Sequence, residues 1–241
     1  DPRFIAGWRQ LPSYAVLPDV AGVLAGQHHG TIIAGGGTNF PDGPPWEGGL
    51  KKVYDELHVL RPQGERWEPV GRLPSPRSHA AVVSLSSGIL VLGGENGDET
   101  YADSIWLKWD DDRVVISSGP DLPFPMSSPV AVVEGGFVYM AAGYAAGIPR
   151  RSVPGFWRLD VKSGKWEELP KCPGALRGQA VMAALNGSIY LISGMEVSEK
   201  EDGTSQSHYL TDAYRYDAAE GWTRLPDLPR SAIAAPSPAP V

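Results

Sequence analysis

Two arginines and two glutamates stand at matching places along this chain of 241 residues. Arg77 opens the run Arg77-Ser78-His79-Ala80 and Arg177 opens Arg177-Gly178-Gln179-Ala180, each just ahead of a stretch of small apolar residues. Glu95 follows Gly93-Gly94, and Glu196 follows Gly194-Met195, each just past an aliphatic stretch. A guanidinium matches a carboxylate bidentately, so Arg77 and Arg177 could grip an anionic ligand, with Arg150 and Arg151 as further neighbours of Arg77. They could equally pair with acidic residues of adjacent repeats. Glu95 and Glu196 could serve as general acid or base where they face a pocket, or as members of salt bridges and solvated turns. Asn39, Glu47, Lys51 and Lys52 lie in a long insertion, residues 37–53. Long loops on rigid scaffolds commonly carry binding residues, and this one could fold as a lid, with Asn39 and Lys51 the better ligand candidates, or merely cover a sheet edge.

Other chemistry is excluded by spacing. Successive strand residues point to opposite faces, so His28-His29 cannot readily converge on one ion, and His79 and His208 add no ligand spacing. Nucleophile-elbow, phosphate-loop and dinucleotide motifs do not occur. No metal and no cofactor is expected. A net charge of −7 without a cluster of Lys or Arg argues against nucleic acid or an anionic membrane surface as partner. No stretch approaches the roughly 20 apolar residues of a membrane-spanning helix. Cys172 is the sole cysteine, which rules out an internal disulfide. The chain begins at Asp1-Pro2, as the mature form of a secreted protein does, so a periplasmic or secreted location is expected.

The elements that must position these residues recur. The clearest copy spans Pro76 to Trp109: a small-residue strand, a turn at Ser87-Gly88, an aliphatic strand, then the glycine pair Gly93-Gly94. Short continuous apolar runs between turn residues predict strands buried on both faces. Similar endings occur at Gly35-Gly36, Ala142-Gly143 and Ser193-Gly194, and Leu-Pro marks recur at Pro12, Pro74, Pro123, Pro170 and Pro226. That interval is close to the ~50 residues of a kelch repeat. With 29 Gly, 23 Pro, 8 Trp and hardly any helical periodicity, the fold expected is an all-β propeller of four-stranded blades. The blades fall at about 20–74, 75–123, 124–173 and 174–229, with orphan strands at 7–12 and 230–236. Expected strands are 21–27, 31–34, 56–60 and 66–70 in the first blade, and 80–85, 89–92, 104–109 and 113–117 in the second. Those of the third are 129–133, 137–141, 156–160 and 166–169, and those of the fourth 179–185, 188–192, 213–217 and 222–225. Residues 196–210 are expected as a long loop. Four complete blades plus two orphan strands predict a fragment of a larger ring, completed by sequence absent here or by a second polypeptide.

Gly35-Gly36-Gly37-Thr38-Asn39-Phe40, then Glu47-Gly48-Gly49-Leu50-Lys51-Lys52 and Tyr54-Asp55-Glu56-Leu57-His58-Val59-Leu60, resemble the kelch-type N-acetylneuraminate (sialic acid) mutarotases, or epimerases, in their circularly permuted branch. The Gly93-Gly94-Glu95 ending and the Arg177-Gly178-Gln179-Ala180 start match as well, and the resemblance covers nearly the whole chain. It implies a six-bladed ring that binds a small sugar acid in its central funnel and interconverts its anomers without cofactor or metal. Within such a funnel the residue types and positions above make Glu95 the candidate acid or base and Arg77, Arg177, Asn39, Lys51, Glu47 and Glu196 the candidate substrate contacts. The Glu and Arg usually given the main catalytic roles in that family would lie on a blade beyond Val241. A glycan-binding propeller without activity and a protein-interaction module are the alternatives.

Overall fold

The computed structural model describes residues 10–14, 19–145, 151–234 and 238. In the first blade β1 (Leu24–His28), β2 (Thr31–Gly35), the short β3 (Thr38–Asn39) and β4 (Lys52–Val53), β5 (Glu56–Leu60) and β6 (Glu68–Arg72) follow in order. The second holds β7 (Ala81–Leu85), β8 (Gly88–Leu92), β9 (Ser104–Asp110) and β10 (Arg113–Ser118). The third holds β11 (Val130–Glu134), β12 (Phe137–Ala141), β13 (Tyr144–Ala145), β14 (Arg151–Ser152), β15 (Phe156–Asp160) and β16 (Lys165–Glu168). The fourth holds β17 (Val181–Leu185), β18 (Ser188–Ile192), β19 (Met195–Glu199), β20 (Ser205–Tyr209), β21 (Ala213–Asp217) and β22 (Gly221–Leu225). The four main sheets are antiparallel and run β1-β2-β5-β6, β7-β8-β9-β10, β11-β12-β15-β16 and β17-β18-β21-β22. Their first strands stand side by side, β1 on β7, β7 on β11 and β11 on β17, so the sheets radiate from a common axis as propeller blades. Among the described residues no such packing joins β17 back to β1.

Strand alternation explains why the sequence reads as continuous apolar runs. Along β8, Ile89 and Val91 enter the core shared with the first blade, while Leu90 and Leu92 enter the core shared with the third. Along β12, Val138 and Met140 face the second blade and Tyr139 and Ala141 the fourth. The second and third blades are therefore each the wall of two cores, and each such Ile, Leu, Val or Met side chain contributes about 1.5–3 kcal/mol by burial.

Two sets of backbone bonds stitch the blades together. A residue with positive φ stands in the lead-in to each first strand, Gly22 (φ 62°), His79 (54°), Ser128 (52°) and Gln179 (52°), and Ala234 (50°) continues the series. The His79 N–H donates to the Gly22 carbonyl, Ser128 to His79, Gln179 to Ser128 and Ala234 to Gln179. The second set starts from the glycine that closes each second strand. Gly37 donates to the carbonyl of Arg77, Gly94 to Met126, Gly143 to Arg177 and Gly194 to Ala232. Glycine is needed there: φ of Gly94 is 101°, and a Cβ would lie 2.7 Å from the Ser78 carbonyl oxygen.

These joints correct several expectations. β1 begins at Leu24 rather than residue 21 because Gly22 makes the lead-in turn. The loop expected at 196–210 is largely the hairpin β19–β20, turned near Gly203 and anchored by buried Val197. Of the orphan strand expected at 230–236, residues 230–234 carry a lead-in turn and no strand, and 235–236 lie outside the described residues. Of that expected at 7–12, residues 7–9 lie outside them and 10–12 are not a strand. Pro12 nevertheless accepts from Trp67 Nε1 at 3.1 Å, as Pro170, past the third blade's last strand, accepts from Trp222 Nε1 at 2.6 Å.

Arg77 and Arg177 do not face the channel. Their side chains are each 2% exposed and serve as struts inside their blades. Arg77 reaches the Gly93 carbonyl at 2.7 Å and both oxygens of Asp103 at 2.8 Å. Arg177 reaches the Ser193 carbonyl at 3.0 Å and Asp212 at 2.7 and 2.8 Å. A guanidinium removed from water must keep such partners, so neither is available to a ligand. Burial pushes the Asp212 carboxyl up, but its bonds to Arg177 outweigh that and hold it below the usual carboxylate value. We expect Asp212→Ala to cost about 3 kcal/mol in urea unfolding, since it strands a buried charge, and Arg177→Met about 2 kcal/mol. Losses under about 0.5 kcal/mol in both would contradict a structural role.

Tyr14 ties residues 10–14 to the first blade through a hydrogen bond between its hydroxyl and His58 Nδ1 at 3.0 Å and by meeting Trp67 edge-on. Burial, aided by Glu56, pushes the Tyr14 phenol up to about 12. Burial holds His58 below its ordinary 6.5, with Glu56 opposing. The neutral histidine's contribution is complete above about pH 6.5 and is lost as pH falls toward its folded value; the phenol's is complete below about pH 10 and is lost as pH rises through 12. Lowering the pH from about 7.5 to about 5.5 should thus destabilise the wild type more than His58→Phe. Equal slopes in urea unfolding would refute this.

Candidate functional site

The residue after each closing glycine occupies one recurring place. Thr38, Glu95, Tyr144 and Met195 pair there with Ala21, Ser78, Ser127 and Gly178 through reciprocal backbone bonds. The four positions ring the same end of the axis. Met195 therefore stands where Glu95 does, and Glu196 is one residue further along β19, opposite His208. One step on a strand reverses the face, so the equivalence expected for Glu95 and Glu196 does not hold.

Beside Glu95 opens a cavity of about 560 Å³ lined by Asp19, Ala21, Thr38, Asn39, Phe40, Pro41, Lys51, Tyr54, His79 and Glu95. It is within the range of small-molecule sites. The insertion forms much of its wall. Thr38 and Asn39 on β3 pair with Val53 and Lys52 on β4, and Thr38 Oγ1 donates to the Lys52 carbonyl at 2.8 Å. This ladder holds Lys51 over the second blade, where Nζ meets Glu95 Oε1 at 2.5 Å. Tyr54 donates to Asn39 Oδ1 at 2.9 Å, and Lys52 Nζ stands 4.9 Å from the centre of the Tyr54 ring. His79 Nδ1 approaches the same Glu95 oxygen at 3.4 Å.

Of the residues singled out in the sequence, Asn39, Lys51 and Glu95 thus meet in one cavity. Glu47 does not: it ends the 3-10 turn Pro45–Glu47 and is exposed. Glu196, Arg77 and Arg177 also lie outside its lining. His79, Tyr54, Phe40 and Asp19 belong to the site although spacing did not single them out for it. A signal for His79 exists in the aligned lead-ins, where Gly22, Ser128 and Gln179 hold the same place. A second space of about 890 Å³ runs along the axis between the first strands and shares Ala21 and His79 with the cavity. Its walls include Ala25, Val82, Val130 and Val132. Among the described residues no group of three or more His, Cys, Asp or Glu is placed to hold a metal ion. The buried Glu95 carboxylate, opposed by an ammonium and an imidazole, can exchange a proton with a bound hydroxyl or pair Lys51 with a ligand carboxylate.

The fold is that of a β-propeller, and the solved structure of YjhT shares it. That likeness has a TM-score of 0.77 and covers 95% of this chain and 76% of YjhT at 13% sequence identity. In sequence the chain is similar to proteins named N-acetylneuraminate epimerase: 32% identity to that of Haemophilus influenzae over 110 residues, 44% of this chain and 26% of the relative. Similarity to that of Pasteurella multocida is 31% over 108 residues, 44% of this chain and 26% of the relative. For N-acetylneuraminate epimerase 1 of Escherichia coli it is 33% over 119 residues, 45% of this chain and 32% of the relative. The similar stretch therefore spans between a quarter and a third of those relatives. No family model matches the chain.

Lys51→Met should free the insertion from the second blade while leaving the sheets intact. Loss of a partly buried ion pair is worth roughly 1.4 kcal/mol, so amide exchange across residues 39–53 should quicken about tenfold. Unchanged protection there would show that the ladder alone holds the insertion down.

Proposed function

We propose that this chain forms one side of the pocket of a mutarotase, an epimerase of N-acetylneuraminic acid or a related sugar acid, working without cofactor. The observation that carries this reading is the convergence of Lys51, Asn39 and Glu95 in one cavity beside the axis. The names of the sequence relatives support the substrate class. In this reading Lys51 turns toward the sugar carboxylate, and Glu95 takes the proton of the anomeric hydroxyl. The C–O bond to the ring oxygen breaks, Glu95 returns the proton it took to that oxygen, and the open carbonyl form recloses on its other face with the transfers reversed. Atoms and charge balance without an added reagent.

The ring in this proposal is six-bladed and kelch-like. The Ala232–Ala234 lead-in and the Trp67–Pro12 bond support blades beyond both the fourth and the first, in sequence outside this chain or in a second polypeptide. Those blades bring further catalytic groups to the funnel. A periplasmic or secreted location belongs to the same proposal.

The test is proton NMR of freshly dissolved N-acetylneuraminic acid with the protein present. Anomer equilibration should outrun the solvent rate, and Glu95→Gln should slow it by about 10²-fold or more. Equilibration at the solvent rate with intact protein would remove the mutarotase reading; tight binding without acceleration would replace it with a glycan-binding propeller.

A further inference from the structure

His79 is built into the site more firmly than a surface histidine needs to be. Its φ of 54° is rare for a residue with a side chain, and its N–H is committed to the Gly22 carbonyl of the first blade. The imidazole lies flat against Gly22: a Cβ there would stand 2.9 Å from His79 Cγ and Cδ2. The absence of a side chain at residue 22 is therefore what lets the ring occupy its place. From that place Nδ1 is 3.4 Å from Glu95 Oε1 and 3.1 Å from Ser78 Oγ. Ser78 Oγ is in turn 3.3 Å from the Glu95 carbonyl oxygen.

We propose that His79 is the positioning residue of Glu95, an imidazole that competes with Lys51 for one carboxylate oxygen and adjusts its charge. Two hydrogen-bond states follow from the distances. As imidazolium, His79 donates from Nδ1 toward Glu95 Oε1, and the Ser78 hydroxyl donates to the Glu95 carbonyl. As neutral imidazole with Nδ1 unprotonated, it accepts from the Ser78 hydroxyl, which rotates away from that carbonyl, and Glu95 Oε1 keeps its bond to Lys51. Among the described residues the charged and titratable groups facing His79 are Glu95 past the end of β8, Lys51 from the insertion, and Asp19 and Tyr54 across the cavity. On the axial side its neighbours Ser128 and Gln179 are uncharged.

The consequence for turnover rests on the sugar-acid reading, but the coupling itself is measured without substrate. The probe is the NMR titration of the His79 ring protons in the whole chain. Glu95→Gln removes the attracting charge and leaves Lys51, so the His79 midpoint should fall by about one pH unit. Lys51→Met removes the competing cation, so the midpoint should rise by about half a unit. Opposite signs separate coupling from loosened structure, which would move both variants the same way. Shifts below about 0.2 unit in both, or shifts of the same sign, would overturn the proposal. Coupling without mutarotation would sink the sugar-acid reading alone; mutarotation without coupling would sink this inference alone.

Discussion

The backbone bond from each closing glycine to the carbonyl of the next lead-in is the constraint on which the rest depends. It fixes the height of one blade against the next, and so the height of the position occupied in turn by Thr38, Glu95, Tyr144 and Met195. Only a residue without a Cβ reaches that geometry at Gly94, because the Ser78 carbonyl occupies the space a side chain would need. The cores then follow. Once adjacent blades are held at this register, Ile89 and Leu90 have no choice but to face opposite neighbours, and the second sheet becomes a wall between two apolar layers.

The fold was legible because its marks are local. Glycine pairs, Leu-Pro ends and five-residue aliphatic strands each report on backbone within one blade, and most strand bounds agree with the observed ones within two residues. What escaped was whatever depends on a neighbouring blade. Gly22 reads as part of a strand until its contact with His79 is known, and the alternation Met195, Val197, Glu199 becomes a strand only through pairing with residues 205–209.

The site was legible in part for the same reason. The insertion advertised itself by length, and Lys51, Asn39 and Glu95 do converge. The two arginines misled because a guanidinium near a funnel looks the same in sequence whether it faces inward or outward. A sign was present: Asp103 directly precedes β9 and Asp212 directly precedes β21, in the two blades that carry the arginine. In the third blade Met126 takes the arginine's place, and Gly155 precedes β15. In the first blade Asp55 precedes β5 with Val20 in the arginine's place and pairs with Arg72 instead, so the aspartate alone is no sign and only the two together mark the structural unit.

The carbonyl that receives the glycine bond belongs to Arg77, Met126, Arg177 and Ala232 in successive blades. A joint made only of main chain is indifferent to the side chain it carries. The framework can therefore hold still while each blade is rewritten separately: a charged strut in one, a thioether in the next, a methyl group in another. The joints behave as a fixed grid that carries interchangeable tiles, so the packing inside one blade can change without moving its neighbours.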